Sequence, residues 1–285
     1  MATFFNQATL SYGGTTVNSN TTEAELLSGL TLTKTAINGT YTRGGSIVYA
    51  VTVTNMGNTP TEGLTLTDDL GAYNTPGGVT AVPLTYVGGS IVYYLDGVQQ
   101  PAPTVTATDG LEISGINIPA GSTATFIYEV VANEFAPIAA GSTITNTAAA
   151  IGCGTADELT ATATVGVRLE AELAIAKAVC PAVVSGCSDI TYTIIIQNLG
   201  NAPVNATDNV IVSDVFNPIL SDITVTLDGT ELVEGISYTY NETTGEFATL
   251  NGAISVPAAT YTQNPETGEI TTTPGVAVLT ITGTV

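Results

Sequence analysis

Apolar and polar side chains alternate along much of this chain. In Ile47–Thr54, Thr123–Val131 and Ile190–Ile196 every second side chain is aliphatic or aromatic, and Thr is frequent in between. A period of two is the signature of a strand with one buried face. Leu64–Asp68 and Ile91–Tyr94 carry shorter versions of it. Leu95-Asp96-Gly97 and Leu227-Asp228-Gly229 read as tight hairpin turns between strands. No segment has a convincing helical period. Glu23–Leu30 and Arg168–Ala178 have weak helical composition and read as connectors. The expected fold class is all-β, built as tandem Ig-like β-sandwiches.

The pattern occurs twice. Val48-Tyr49-Ala-Val-Thr-Val-Thr-Asn55-Met-Gly57-Asn58-Thr-Pro60 aligns with Thr191-Tyr192-Thr-Ile-Ile-Ile-Gln-Asn198-Leu-Gly200-Asn201-Ala-Pro203. Tyr, Asn, Gly, Asn and Pro coincide at a constant offset of 143. Leu32-Thr-Lys34 matches Ile175-Ala-Lys177 at the same offset, and Leu64–Asp68 matches Val210–Asp214 at 146. The domain reading is an N-terminal strand and connector over 1–28, a first repeat over 29–168 and a second, incomplete repeat over 169–285.

The copies end differently. After Thr123–Val131 the first copy continues into Ile144-Thr-Asn146-Thr-Ala148-Ala-Ala150, whereas the second reaches Val276–Val285 with no such strand after it. Its counterpart lies at the other end, where Phe4-Phe-Asn6-Gln-Ala8-Thr-Leu10-Ser-Tyr12 repeats the Asn, an Ala and the apolar parity. The chain therefore reads as two repeats cut one strand out of phase. A sandwich without its last strand leaves a groove and an unpaired edge. Phe4, Asn6, Ala8, Leu10 and Tyr12 form the candidate donor strand. It can insert into another copy as in donor-strand complementation, close within its own chain, or remain a tail. Insertion between copies is head to tail and does not close, which makes filaments.

Lys34 and Lys177, the only lysines, occupy equivalent positions. By strand parity Lys34 shares a face with Leu30 and Leu32, Asp68 with Leu64 and Leu66, and Asn146 with Ile144 and Ala148. Lys177, Asp214 and Asn6 stand likewise in the second set. A buried ammonium or carboxylate is costly unless paired. Burial pushes a Lys toward its neutral amine and an Asp toward its neutral acid, and such an amine can attack an amide carbonyl polarised by the acid. A plain Lys–Asp ion pair, or a lysine that blunts an edge strand, uses the same residues. The set resembles the self-crosslinking Ig-like domains of Gram-positive surface proteins and pili. That resemblance implies a Lys34–Asn146 isopeptide bond promoted by Asp68, and a Lys177–Asn6 bond between molecules promoted by Asp214.

Composition narrows the function. Lys+Arg is 4 against Asp+Glu 25, a formal charge of −21, which disfavours nucleic acid and anionic membranes as partners. There is no His, which removes His-based acid–base and nucleophile systems. No cofactor or metal site is expected: the acidic turns Asn241–Glu246 and Asn264–Glu269 do not match an EF-hand. Cys180 and Cys187 flank a loop that a disulfide can close, leaving Cys153 over, and three free thiols are the alternative. No apolar run is long enough to span a membrane. No secretory signal is read at Met1-Ala-Thr-Phe-Phe-Asn-Gln.

The motif Tyr-x-Val-Thr-Val-Thr-Asn-x-Gly-Asn-Thr, followed by Leu-Thr-Leu-Thr-Asp-Asp-Leu, resembles the bacterial surface repeat known as the DUF-eleven type. The whole chain is similar to two-repeat clostridial proteins, some linked to spore appendages. The resemblance implies Ig-like sandwiches in envelope stalks, surface layers and appendages, with no catalytic activity. The expectation is a non-enzymatic structural subunit of an extracellular filament on a cell or spore surface, a homopolymer of copies of itself. The alternative is a monomeric adhesin or carbohydrate-binding module, with Tyr93, Tyr94, Tyr238 and Tyr240 as an aromatic platform.

Overall fold

A computed structural model describes residues 2–26, 29–108, 110–152, 158–186 and 188–285. The chain is all-β. It divides into two compact units, Met1–Pro137 with Ser142–Val167 and Pro265–Glu269, and Ile138–Gly141 with Arg168–Asn264 and Ile270–Val285. Among the described residues the only helical element is one 3-10 turn, Ala206–Asp208.

The first 26 residues form a hairpin, not a single strand. Strand β1 (Ala2–Asn6) pairs with β4 (Thr22–Leu26), and β2 (Thr9–Tyr12) pairs with β3 (Thr15–Asn18). Gly13 and Gly14, both at positive φ, make the turn. These four strands pair only with each other. Part of the supposed connector Glu23–Leu30 is thus strand β4. Its Thr, Glu and Ala residues favour a strand only once β1 lies beside it.

The first sandwich follows. Its strands are β5 (Leu30–Ala36), β6 (Thr40–Tyr41), β7 (Ser46–Asn55) and β8 (Thr61–Asp68), then the short pair β9 (Tyr73–Asn74) and β10 (Thr80–Ala81). Next come β11 (Leu84–Tyr86), β12 (Val92–Leu95), β13 (Val98–Gln100), β14 (Val105–Thr106) and β15 (Leu111–Ile118). It ends with β16 (Thr123–Ala132), β17 (Thr143–Ile151) and β18 (Leu159–Val167). One sheet runs β13-β12-β16-β7-β5 with β11 also on β16, and the other runs β14-β15-β8-β17-β18-β6. Alternation is strict on β7 and β16, so one face of each is buried along its length. Ile47, Tyr49, Phe126 and Tyr128 of one sheet meet Leu64, Ile113, Ile144 and Val165 of the other in one core. The β12–β13 turn places Asp96 and Gly97 at φ 50° and 78°, the left-handed region that the Asp-Gly pair accommodates.

The second sandwich comprises β19 (Leu173–Cys180), β20 (Asp189–Asn198), β21 (Ser213–Val215), β22 (Ser221–Leu227), β23 (Thr230–Glu231), β24 (Tyr238–Tyr240) and β25 (Glu246–Thr249). The hairpin β26 (Thr260–Gln263) with β27 (Ile270–Thr273) precedes the long strand β28 (Gly275–Thr284). The connector read over Arg168–Ala178 is therefore a connector only to Glu172. From Leu173 its Ala and Leu residues are held as a strand by β20. One sheet runs β19-β20-β28-β22-β23, the other only β21-β25-β24. Lys34 opposes Val51 and Lys177 opposes Ile194, so the repeat seen in sequence is also a repeat of register.

The shared Asn-x-Gly-Asn turn is a buried fastener. Asn55 donates through Nδ2 to the carbonyls of Thr59 and Ile118, at 2.9 and 3.1 Å, and accepts the Gly57 N–H. Asn198 does the same with Ala202, Pro257 and Gly200, and also accepts the Glu172 N–H. Asn55→Ala leaves the buried Ile118 carbonyl without its donor, together with the Thr59 carbonyl and the Gly57 N–H, and is expected to cost about 1–3 kcal/mol of unit 1 stability. Urea unfolding of the full chain measures this, and a loss within error of zero contradicts the fastener role.

Candidate functional site

Three strands bring the predicted polar set together in the first sandwich. Lys34 is on the inner face of β5, Asp68 ends β8, and Asn146 lies on β17 two residues before Ala148, which opposes Asp68. All three side chains are buried. Lys34 Nζ donates to Asp68 Oδ2 at 2.5 Å, the side chains being 0% and 3% exposed. The Tyr128 hydroxyl donates to the same oxygen, and Asp68 Oδ1 accepts the Leu70 N–H at 2.9 Å. The ammonium lies 4.8 Å from the centre of the Tyr49 ring, a cation–π contact. Burial holds Lys34 below its ordinary value, against the opposing pull of Asp68. Burial, reinforced by the Asp68 charge, pushes the phenols of Tyr49 and Tyr128 up.

Asn146 is poised on one side only. Its Oδ1 accepts the Gly71 N–H at 3.1 Å, while its Nδ2 is buried without a hydrogen bond. Gly71 has φ 74°, and a Cβ there would sit 2.6 Å from Ile144 Cγ2, so only glycine fits. The group thus contains a desolvated amine, a carboxyl hydrogen-bonded to it, an amide carbonyl held by an N–H donor, and an amide nitrogen held by nothing. These are the kinds of group that amide exchange onto lysine uses. Asp69 faces the other way and ties β8 to β17 by accepting the Thr147 N–H at 2.8 Å.

The second sandwich repeats this set without its third member. Lys177 pairs with Asp214 and lies 4.4 Å from the Tyr192 ring centre and 5.2 Å from that of Phe216. Here, however, the Lys side chain is 39% exposed and the Asp 20%. The position of Tyr128 is taken by Ile281, which opposes Tyr192 as Tyr128 opposes Tyr49. Strand β19 is exposed along its whole length, and Leu173 is 42% exposed where its counterpart Leu30 is 3%. Among the described residues β21 pairs with β25 alone, whereas its counterpart β8 lies between β15 and β17. An apolar cleft lined by Leu173, Ile175, Ile196, Val210 and Val212 runs between β19 and the segment leading into β21. The expectation of three inward polar groups in both copies thus holds for the first. In the second, the lysine and carboxylate face an uncovered side.

The remaining predicted residues are placed as follows. Phe4, Asn6, Ala8, Leu10 and Tyr12 are all exposed on the terminal hairpin. Cys180 ends β19 and is exposed; Cys187 and Cys153 lie outside the described residues, so the disulfide reading does too. The four platform tyrosines are not exposed. Tyr238 is buried, Tyr93 stacks on Phe126 at 4.7 Å, and Tyr94 and Tyr240 are half-buried. Tyr93 packs against the first core, Tyr238 and Tyr240 belong to the second, and Tyr94, next to Tyr93 on β12, points to the opposite face. Among the described residues no group of three or more Cys, Asp or Glu could hold a metal ion. No helix is long and apolar enough to cross a membrane. Sequence reasoning missed Tyr128 and Gly71. Tyr128 had a usable signal, the same inward parity as Phe126 in a predicted strand.

No family model and no curated protein matches the chain, so the repeat family remains a resemblance. Several solved structures share its architecture weakly. One is a 35 kDa C-terminal fragment of the major pilin GBS80 of Streptococcus agalactiae, at 13% identity over 86% of this chain and 91% of that one, with a TM-score of 0.35. The full-length major pilin SpaD of Corynebacterium diphtheriae shows 11% identity over 85% of this chain and 58% of its own, TM-score 0.36. The pilus backbone RrgB of Streptococcus pneumoniae shows 12% over 86% and 55%, TM-score 0.35. Likenesses of this size carry no functional argument, which rests on the chain's own residues.

Two measurements separate the lysine sites. Asp68→Ala leaves a buried ammonium unpaired and is expected to cost about 3–5 kcal/mol. Asp214→Ala, beside an exposed lysine, is expected to cost the monomer about 1 kcal/mol or less. Equal losses in urea unfolding would refute the contrast. The pH profile also has a sign. Lys34 is lowered from 10.5, so folded unit 1 binds fewer protons than the unfolded chain between that lowered value and 10.5, and stability rises with pH there. Tyr41, raised from 10.0 to about 12, and Tyr49 and Tyr128, also raised from 10.0, keep protons that the unfolded chain loses above 10.0. Stability therefore falls again with further alkalinity. With Lys34 kept a free amine, as in Asn146→Ala, thermal unfolding against pH should show a maximum on the alkaline side but below 10.0, and a flat profile from neutral pH upward counts against the burial of Lys34.

Proposed function

We propose that this chain is a non-enzymatic structural subunit of a bacterial surface filament. Copies join head to tail, the N-terminal segment of one completing the second sandwich of the next. One observation carries the reading: Leu30 and Lys34, buried in the first sandwich where β18 packs along β5, have counterparts in Leu173 and Lys177 that are exposed, and among the described residues β21 lacks the second neighbour that β17 gives β8. The strand carrying the missing asparagine, with Asn6 in the place of Asn146, sits at the N-terminus with its apolar side chains exposed. An open cleft and an exposed apolar strand on one chain are complementary between chains, and a heterologous contact of this kind propagates.

In the same reading the joints become covalent. Lys34 Nζ attacks Asn146 Cγ, a C–N bond forms, the Cγ–Nδ2 bond breaks, and ammonia leaves. Asp68 passes the amine proton to the departing nitrogen. Lys177, Asp214 and the neighbour's Asn6 perform the same exchange across the joint. An acidic, His-free chain with four Lys and Arg in all suits a protein exposed to proteases outside a cell or on a spore. The proposed partner is a further copy of the chain, with no nucleic acid and no membrane.

Intact-mass measurement tests the chemistry, since each bond lowers the mass by about 17 Da as ammonia is lost. Monomer should show one such loss, abolished by Lys34→Ala. Lys177→Ala filaments should form but dissolve in hot SDS, whereas wild-type filaments persist. A wild-type mass equal to that of the sequence removes the covalent part. A chain that stays monomeric by negative-stain microscopy at all concentrations removes the filament.

A further inference from the structure

The terminal hairpin has two unlike faces. On one, Leu10 opposes Val17 and Tyr12 opposes Thr15, and by the same parity in the first strand Phe4 and Ala8 follow, with Ala24 opposite Phe4. On the other, Thr9 Oγ1 donates to Asn18 Oδ1 at 3.0 Å and the hydroxyls of Ser11 and Thr16 lie 3.3 Å apart. Apart from Phe5, which is exposed opposite Glu23, that face is a ladder of cross-strand hydrogen bonds, suited to water. The apolar face has nothing over it: Phe4, Leu10, Tyr12 and Val17 are all exposed. A two-stranded hairpin is marginal in water and needs such a face buried.

The chain already contains a covered hairpin of this design. In β17–β18 the inward face carries Ile144, Asn146, Ala148 and Ala150 opposite Val165, Ala163, Ala161 and Leu159. The outward face carries the Thr145–Thr164 hydroxyl pair at 2.9 Å. Strand β17 pairs with β8, and β18 packs along β5, the strand of Lys34. Among the described residues the second sandwich has no counterpart of β17 or of β18, so its open side has room for two strands, not one.

We infer that the donor is the whole hairpin, Ala2–Leu26, taken from a second copy of this chain and seated on the second sandwich as β17–β18 seat on the first. The inference rests on the filament reading and specifies its joint. Counting Asn6 as Asn146 sets the register: Ala8 lies opposite Asp214 as Ala148 lies opposite Asp68, and Leu10 opposite Val212 as Ala150 opposes Leu66. The first strand extends the sheet β21-β25-β24. The second strand, through Val17 and Ala24, lies over β19 and covers the side on which Lys177 is exposed. The occupant is another copy because the hairpin's first strand reproduces the inward-face pattern of β17, asparagine included, and its second strand lies antiparallel beside it as β18 lies beside β17.

Single substitutions in the full chain test this, read as the critical concentration for assembly by light scattering and negative-stain microscopy. None touches the folded units. Leu10→Asp charges the apolar face of the first strand, Val17→Asp that of the second, and Thr16→Asp the polar face of the second. Burying an unpaired carboxylate is costly, so Leu10→Asp and Val17→Asp should each raise the critical concentration by about tenfold or more. Thr16→Asp should leave it within about twofold, because that face stays in water. Amides of Thr15–Asn18 should exchange more slowly in filaments than in monomer. If Leu10→Asp blocks assembly while Val17→Asp assembles like wild type and those amides stay unprotected, one strand is donated and the hairpin inference is wrong, with the filament reading intact. Equal losses for Val17→Asp and Thr16→Asp overturn the assigned faces. Assembly unaffected by Leu10→Asp overturns the filament reading itself.

Discussion

Covering the edge of β8 is the constraint on which the rest of the first sandwich depends. A carboxylate on an inner face is desolvated only when the edge of its strand is covered. Once β17 and β18 lie against it, water is gone from Asp68, Lys34 packs against that carboxylate and the Tyr49 ring, and burial holds the lysine below its ordinary pKa. The same strands bring Asn146, whose carbonyl finds the Gly71 N–H and whose nitrogen finds no partner. Burial, electrostatics and reactivity at this site are consequences of one pairing.

The second sandwich is the natural comparison, because register, lysine, carboxylate and the aromatic ring beneath the lysine are all retained. What changes is cover. Lys177 and Asp214 still meet, but in partial contact with solvent, where an ion pair contributes little to stability. The two units therefore separate the pairing of charges from their burial within one polypeptide.

Much of this was legible in the chain. Alternation located β7, β16 and β20 to within two residues, because each has one face in a core. The offset of 143 located both lysines, because the register that holds them is carried by the strands beside them. Three features were not legible. Strand β4 has little apolar content and is ordered only by pairing with β1, so it read as a connector. Strand β18 shares no residue pattern with Thr15–Leu26, so sequence comparison saw one missing strand where the topology has room for two. Tyr128 is one of several inward aromatics, and only the three-dimensional position of Asp68 distinguishes it from Phe126.

The outer faces of the sheets carry one further consequence. Thr52 meets Thr125, Thr54 meets Thr123, Thr145 meets Thr164 and Thr191 meets Thr282, each through hydroxyls across neighbouring strands. Where many proteins place lysine–glutamate pairs, this one places neutral hydroxyl pairs. Dissolved ions do not screen such a lattice and protons do not titrate it, whereas surface ion pairs weaken with both. The cladding of the sandwiches should hold alike in brine, rainwater and mild acid.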